Sequence, residues 1–368
     1  MKACLDIFIC ASYLRQPMAG NRVLARLRLW RVQTLALTAL APVVGALVFM
    51  EVPTSWSDGL ATEVLPDIIL LFLVGAFLHI YGFVLNEWAD LEIDRASADL
   101  QDKPLVSGEI SANEAKWTAI GAAAATFVPL AMVTLEPLPH ITLLGSILVA
   151  GAYDIWGKRF PLDVLLAGSI TMLFLVGAQA LDGINPSLER HITLLACIGG
   201  LQFLQNLYQN AIEGGIKDAD HDAVAGARTY AAVLGVRIDK NGELEAGWVF
   251  TSSAFIIKGI QIALLLYTAV EVTDLSVHGS SPLLWAILIV SIAVMVVTSS
   301  IMLPPVSFDR SRLKRIFSIH ELATFGAIMT VIVPLLGEWV TFGLFILPMV
   351  WFMVVNRGLF GGALEPGV

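Results

Sequence analysis

Ten apolar stretches, each close to the length needed to cross a bilayer, fall near 34–50, 68–86, 117–134, 139–156, 163–181, 192–212, 246–270, 281–303, 319–336 and 338–355. About 20 apolar residues in helical conformation cross the hydrocarbon core. Inside lipid a backbone must satisfy its own hydrogen bonds, so this pattern restricts the chain to an all-α, polytopic membrane bundle. The composition agrees: 57% of the 368 residues are hydrophobic, 14% are charged and the mean hydropathy is +0.78. The last two stretches are divided only by the sequence PLLGE at 334–338, so they read either as two helices or as one broken unit, giving ten or nine spans.

Three cysteines, Cys4, Cys10 and Cys197, are too few and too scattered for a disulfide framework or a zinc site. The net charge of −9 says less than the distribution of Lys and Arg. Arg15, Arg22, Arg26, Arg28 and Arg31 precede the first span. Arg95, Lys103, Lys116, Lys158, Arg159, Lys217, Arg228, Arg237, Lys240, the run at 310–315 and Arg357 fall on the same side if spans alternate, whereas the opposite loops hold little beyond Arg190. The positive-inside rule therefore expects the amino terminus and these loops to be cytoplasmic, in a cell-membrane protein. Residues 1–33 read as an Arg-rich, partly amphipathic lead-in at the interface, 34–357 as the membrane domain and 358–368 as a short tail.

Charge at the mouth of the second span needs a reason. In VLNEWADLEIDR (84–95), Asn86, Asp90 and Asp94 recur at i, i+4 and i+8 and share one helical face. Like charges at that spacing repel, and a hard dication such as Mg²⁺ would reverse the sign; a solvated helix end is the plainer alternative. After the sixth span a second cluster repeats the arrangement, with Asn210, Glu213, Asp218, Asp220 and Asp222, the pair Asp218 and Asp222 again four apart. Two such arms at the same face suit Mg²⁺ carrying a diphosphate. Lys103, Lys158, Arg159, Lys217 and Arg228 lie close to them in sequence and would offset leaving-group charge.

Four motifs in order resemble the UbiA superfamily of intramembrane polyprenyltransferases: N-x-x-x-D-x-x-x-D in NEWADLEID, K-P-L-x-S-G in KPLVSG, Y-x-x-x-x-K-R in YDIWGKR, and D-x-x-x-D-x-x-x-G-x-x-T in DADHDAVAGART. The resemblance implies a helical bundle, usually of nine spans, around a central cavity, and Mg²⁺-dependent transfer of a polyprenyl group from its diphosphate to a lipophilic acceptor. It implies that Asn86, Asp90, Asp94, Asp218 and Asp222 hold metal, the four Asp among them being catalytic. It further implies that Asn86, Lys103, Tyr153, Lys158, Arg159, Asn210, Lys217 and Arg228 contact the diphosphate. Asn210 stands near where many members place an Asp. EGGIKD resembles the E-x-x-K-D element of archaeal geranylgeranyl-glycerol-phosphate transferases, with one more residue between Glu213 and Lys217, and this favours a glycerol-phosphate ether lipid as acceptor over an aromatic acid or quinone precursor. Membrane lipids are expected partners and nucleic acid is not.

Candidate cavity walls are Phe72, Phe77, Tyr81, Phe83, Phe203 and Tyr208, for each of which packing or lipid contact is the plainer reading. His79 and Gln202 lie within spans and either touch the acceptor or bond across helices. Lys258, near the middle of the seventh span, either binds an anionic head group or snorkels. A transporter or a non-catalytic scaffold is the reading from another class; a transporter would place its charges near the midplane, whereas these clusters lie at one face.

Overall fold

A computed structural model describes residues 22–50, 60–97, 100–181 and 189–361. Most of the lead-in (1–21) and most of the tail (362–368) lie outside the described residues. Among the described residues, nine helices are long and apolar enough to cross a membrane: α1 Val32–Phe49, α2 Val64–Ala89, α3 Ala112–Val133, α4 Pro137–Trp156, α5 Asp163–Ala180, α7 Trp248–Val272, α8 Ser281–Met302, α9 Arg310–Leu336 and α10 Glu338–Phe360. Between α5 and α7, residues 189–217 form one continuous helix, α6, in which π turns at Leu195–Gly199 and Tyr208–Gly214 interrupt α turns. Ten helical segments result, and the chain is an integral membrane protein. The final two are separate helices, because Gly337 adopts φ 79°, a conformation that ends α9 and starts α10.

Helix α1 lies at the centre, packed against α2, α5 and α10. Lipid tails offer no hydrophobic drive for helices to associate, so close approach through small residues takes its place. A Cβ on Gly177 would collide with the Pro42 carbonyl, one on Gly45 with the Phe174 carbonyl, and one on Gly75 would fall 2.7 Å from Ala39 Cα. The outward faces of α7, α8 and α10 carry exposed Ile256, Ile260, Ile289, Val290, Leu347 and Val354, as a lipid-facing surface requires.

At one end the connections build a polar cap. Strands β1 Arg237–Ile238, β2 Glu243–Glu245 and β3 Val306–Ser307 form an antiparallel sheet in that order, tying the α6–α7 connection to the α8–α9 connection. Beneath it Leu244, Phe250, Met302, Leu313 and Phe317 pack with Ile212 and Ile216 of α6 as a separate small core. The short helix Arg22–Leu29 lies at the same end and turns into α1 at Arg31, which takes φ 44°. His79 of α2 braces that turn: its Nε2 lies 3.1 Å from Trp30 O and 3.2 Å from Arg31 O, and its Nδ1 lies 3.0 Å from Thr38 Oγ1. Carbonyls only accept, so Nε2 carries the proton and Nδ1 accepts from Thr38. Of the two roles expected for His79, the structure supplies the interhelical one.

Candidate active site

Both acidic arms are built the same way. Helix α2 ends at Ala89, Asp90 bends the chain with φ −88° and ψ 1°, and Leu91–Arg95 continues as a short helix. The bonds Asp90 N–H to Asn86 O and Asp94 N–H to Asp90 O, both 2.9 Å, keep the four-residue ladder through the bend. In the second arm Asp218 bends with φ −100° and ψ 10° between α6 and the helix Ala219–Ala225, and Asp222 N–H bonds Asp218 O at 2.8 Å. The i, i+4 spacing thus survives in each arm, with the first Asp at the bend.

Cations hold the arms. Lys103 Nζ reaches Asp94 Oδ2 at 2.7 Å and Glu87 Oε2 at 3.0 Å, and Arg31 Nη2 meets the other oxygen of Glu87 at 2.6 Å. Lys158 donates to Asp222 Oδ1 at 2.7 Å, while Thr229 Oγ1 donates to Asp222 Oδ2 at 2.8 Å. Lys158 also acts electrostatically on Asp90 and Asp218, so one ammonium faces both arms. Burial opposes its charge, but Asp222 and Asp90 prevail and hold it above the ordinary lysine range. Burial pushes the Asp90 carboxyl up to about 6, against Lys158 and Lys103 and helped by Asp94 and Glu87. At Asp94 burial also raises the carboxyl, over the opposing effect of Lys103. At Asp218 the outcome reverses: burial is outweighed by Lys217, Lys158 and Arg310, and the carboxyl stays below its ordinary range.

Tyr153 and Asn210, expected at the diphosphate, meet each other. Tyr153 OH donates to Asn210 Oδ1 at 3.0 Å, and Asn210 Nδ2 donates to Asp163 Oδ1 at 3.1 Å. Lys217 lies 3.5 Å from Asp218. Arg228 contributes its backbone, whose N–H bonds Lys158 O at 2.8 Å and joins the α4–α5 turn to the second arm; its side chain is exposed, as is that of Arg159. The structure therefore gathers Asn86, Asp90, Asp94, Lys103, Tyr153, Lys158, Asn210, Lys217, Asp218 and Asp222 around one mouth and leaves the Arg159 and Arg228 side chains on its outer rim.

Several participants carry no readable spacing signal. Glu87 joins Arg31 to Lys103. Arg310, at the start of α9, donates Nε to Lys217 O at 3.2 Å, pairs with Asp220 and reaches His221 Nε2 at 3.0 Å. Asp163 orients Asn210 and accepts the Tyr230 N–H at 3.2 Å. Asp154, next to Tyr153, lies beside Asp90 and within hydrogen-bonding reach of Asn86. Only the chain's folding brings these groups to the motif residues.

The donor set suits Mg²⁺: it is all hard oxygen, on two arms, with cations placed for phosphate. Among the described residues no three His, Cys, Asp or Glu side chains form a ready cage. Mg²⁺ does not require one, because it takes one or two carboxylates together with waters and substrate phosphates.

Tyr208 and Lys258 belong elsewhere. Lys258 is 2% exposed, and its Nζ donates to Gln261 Oε1 at 2.7 Å and sits 3.9 Å from the centre of the Tyr208 ring. Gln261 donates to Gln205 Oε1 at 3.0 Å, and Gln205 donates to Glu321 Oε1 at 2.6 Å. Lys258 thus neither snorkels nor reaches the mouth; it is sealed in a network spanning α6, α7 and α9. Tyr208, fully buried, bonds Ser299 Oγ at 3.0 Å and stacks on His320. Tyr81 bonds the Ile147 carbonyl at 3.0 Å, and Phe83 lies under Arg31 and against His79.

Comparison with known proteins follows the same lines. The model of the UbiA prenyltransferase family matches residues 39–303. A digeranylgeranylglyceryl phosphate synthase from Methanoculleus marisnigri is 32% identical over 177 residues, 47% of this chain and 58% of that protein. A 4-hydroxybenzoate octaprenyltransferase from Neisseria meningitidis is 28% identical over 189 residues, 50% of this chain and 60% of that protein. The matched region spans less than two thirds of either relative. A UbiA homologue from Archaeoglobus fulgidus, solved bound to DMAPP and Mg²⁺, superposes with a TM-score of 0.58 at 18% identity, covering 84% of this chain and 99% of that one.

Proposed function

The chain belongs to the UbiA prenyltransferase family, and we propose that it transfers a polyprenyl group from its diphosphate to a lipophilic acceptor, releasing pyrophosphate, at a cytoplasmic mouth formed by the two acidic arms. The observation that carries the proposal is Lys158, whose ammonium holds Asp222 and faces Asp90 and Asp218 at once. A diphosphate placed there meets Lys158, Lys103 and Lys217, while Asp90, Asp94, Asp218, Asp222 and Asn86 stand ready for Mg²⁺. Bound Mg²⁺ supplies charge neutralisation of the leaving group.

The protein's own part is orientation and exclusion of water. Tyr153 and Asn210 fix each other below the lysines, with Asp163 behind them. As the allylic carbon–oxygen bond breaks, its electron pair leaves with pyrophosphate beside the lysine ammoniums, and the acceptor's electron pair forms the new bond to carbon. The acceptor's proton passes to the departing pyrophosphate, the strongest base at the mouth. The bilayer-embedded helices keep the developing cation from bulk water.

A glycerol-phosphate ether lipid is the acceptor favoured by EGGIKD and supported by the Methanoculleus relative. That stretch begins inside the π turn Tyr208–Gly214, and a π turn takes up one residue more than an α turn without losing helical continuity. The Neisseria relative supports the alternative, an aromatic acid. Pyrophosphate release from geranylgeranyl diphosphate is measured with and without Mg²⁺, against an ether glycerol phosphate, an aromatic acid and a quinone precursor. Release that needs Mg²⁺ and the ether lipid is expected. Release only with the aromatic acid overturns the acceptor assignment, and none with any acceptor or donor length overturns the reaction.

A further inference from the structure

Asp154 is a carboxylate that the arms, as read from the motifs, do not include. It sits in the last turn of α4, immediately after Tyr153, and is only 7% exposed. Helices α2 and α4 touch just before it, where a Cβ on Gly151 would collide with the Tyr81 hydroxyl, which itself bonds the Ile147 carbonyl. Asp154 lies beside Asp90, with one oxygen toward Asn86. Among the described residues its Oδ2 is buried and has no hydrogen-bond partner. The charged group acting on it is Asp90, another carboxylate.

A carboxylate buried against a second carboxylate, with one oxygen unpaired, is costly unless a proton or a cation joins it, and a divalent cation can take the place of that proton. Every other carboxylate around the mouth except Asp90 has a cation or hydrogen-bond donor in contact: Glu87 has Arg31 and Lys103, Asp94 has Lys103, Asp222 has Lys158 and Thr229, Asp218 has Lys217, and Asp163 has Asn210 and the Tyr230 amide. Asp90 and Asp154 are the neighbouring pair left with oxygens to offer. The Asn86 amide oxygen completes a set of hard donors drawn from two helices held in contact.

We infer that Asp154 is an additional ligand of the divalent cation on the first arm, binding it together with Asp90 and Asn86. The inference rests on the reading of the mouth as a Mg²⁺–diphosphate site. It makes the first arm bipartite: α2 contributes the residues of the spaced motif, and α4 contributes a carboxylate from its own last turn. The cation would then pin α2 to α4 at the mouth.

The experiment titrates Mn²⁺, visible by electron paramagnetic resonance, into metal-stripped full-length protein in detergent, with free Mn²⁺ read from its signal. Wild type is compared with Asp154→Asn, Asp154→Ser and Asp90→Asn. Asparagine keeps the hydrogen bond to Asn86 and removes only the charge, so a merely structural Asp154 predicts unchanged binding. The inference expects Mn²⁺ affinity to fall by about ten-fold or more in both Asp154 variants, while the metal-free variants melt no lower than wild type. Wild-type affinity in a folded Asp154→Asn or Asp154→Ser protein, with loss in Asp90→Asn, overturns this inference and leaves the site standing. Absence of Mn²⁺ binding by wild type itself at millimolar concentration, both alone and with a non-hydrolysable prenyl diphosphate analogue present, overturns the reading of the mouth, and this inference with it.

Discussion

Lys258→Met tests whether the buried lysine is a counter-ion within the bundle. Its ammonium bonds Gln261 and is the cation acting on both Glu213 and Glu321. Removing it strands at least one carboxylate where water does not reach: Glu213 is 3% exposed and its Oε1 is already without a hydrogen bond. Breaking one side of a buried ion pair costs about 3–5 kcal/mol. A second route to the magnitude sets a ceiling. The stranded group can take a proton instead, and at pH 7 a glutamate of ordinary pKa near 4.3 does so at roughly 1.4 kcal/mol per pH unit, or about 4 kcal/mol. The expected loss is therefore about 4 kcal/mol. In the double variant Lys258→Met/Glu213→Gln the lysine goes together with the carboxylate that its loss strands, so at least about 2 kcal/mol should return. The assay is reversible unfolding in mixed detergent micelles, combined into a double-mutant cycle. A single variant as stable as wild type, or a double variant whose loss is the sum of the two singles, would refute the counter-ion reasoning. The double variant should also keep its activity ratio across all acceptors; a drop confined to one acceptor would restore a head-group role for Lys258.

Asp90→Ala and Asp218→Ala should each lower pyrophosphate release by on the order of a hundred-fold or more while leaving folded protein undiminished; near-wild-type release by either variant removes that arm from the site. Asp90, with its carboxyl pushed up to about 6, binds its proton more tightly folded than unfolded, so it makes metal-free protein lose stability as pH rises from about 4 to 6. Melting temperatures of wild type and Asp90→Asn at both ends of that window should diverge as pH rises, the variant being the more stable at the upper end. Gly177→Ala should destabilise by about 1–3 kcal/mol or more, because its new methyl meets the Pro42 backbone carbonyl rather than a side chain that can rotate; unchanged thermal stability would mean that α1 and α5 do not cross there.

Apolar run length located ten segments because the bilayer sets that length, and the structure returns a helix at each of them. Run length could not say whether 334–338 divides two helices, since this depends on Gly337 taking a positive φ. It also could not show that α6 would alternate α and π turns. The arms were legible for a local reason: i, i+4 spacing places carboxylates together whatever the tertiary fold. Glu87, Asp154, Asp163 and Arg310 were not, because each acquires its role from a different helix arriving at the mouth. The sequence left Tyr208 open between cavity wall and packing, and Lys258 between head-group ligand and snorkelling; only the packing of α6 against α7 and α9 shows that the lysine sits over the tyrosine ring.

The same residue types thus serve two purposes, and exposure separates them. At the mouth Lys158 and Lys217 keep a path to solution, 30% and 35% exposed, while Lys103, 12% exposed, holds Glu87 and Asp94. A multiply charged diphosphate can displace such contacts, because water and ions already reach them. Deeper in the bundle, Lys258, Gln261 and Gln205 are 2%, 0% and 9% exposed, and their polar atoms pair with one another. Buried charge halfway through a membrane is what a transporter would display. A transported ion would have to exchange with those partners at every cycle, against hydrogen bonds of 2.6–3.0 Å that close the network on itself. The exchangeable charges lie at one face and the locked ones inside, an arrangement that admits an anionic head group at the surface and a hydrocarbon chain below it without moving a charge across the bilayer.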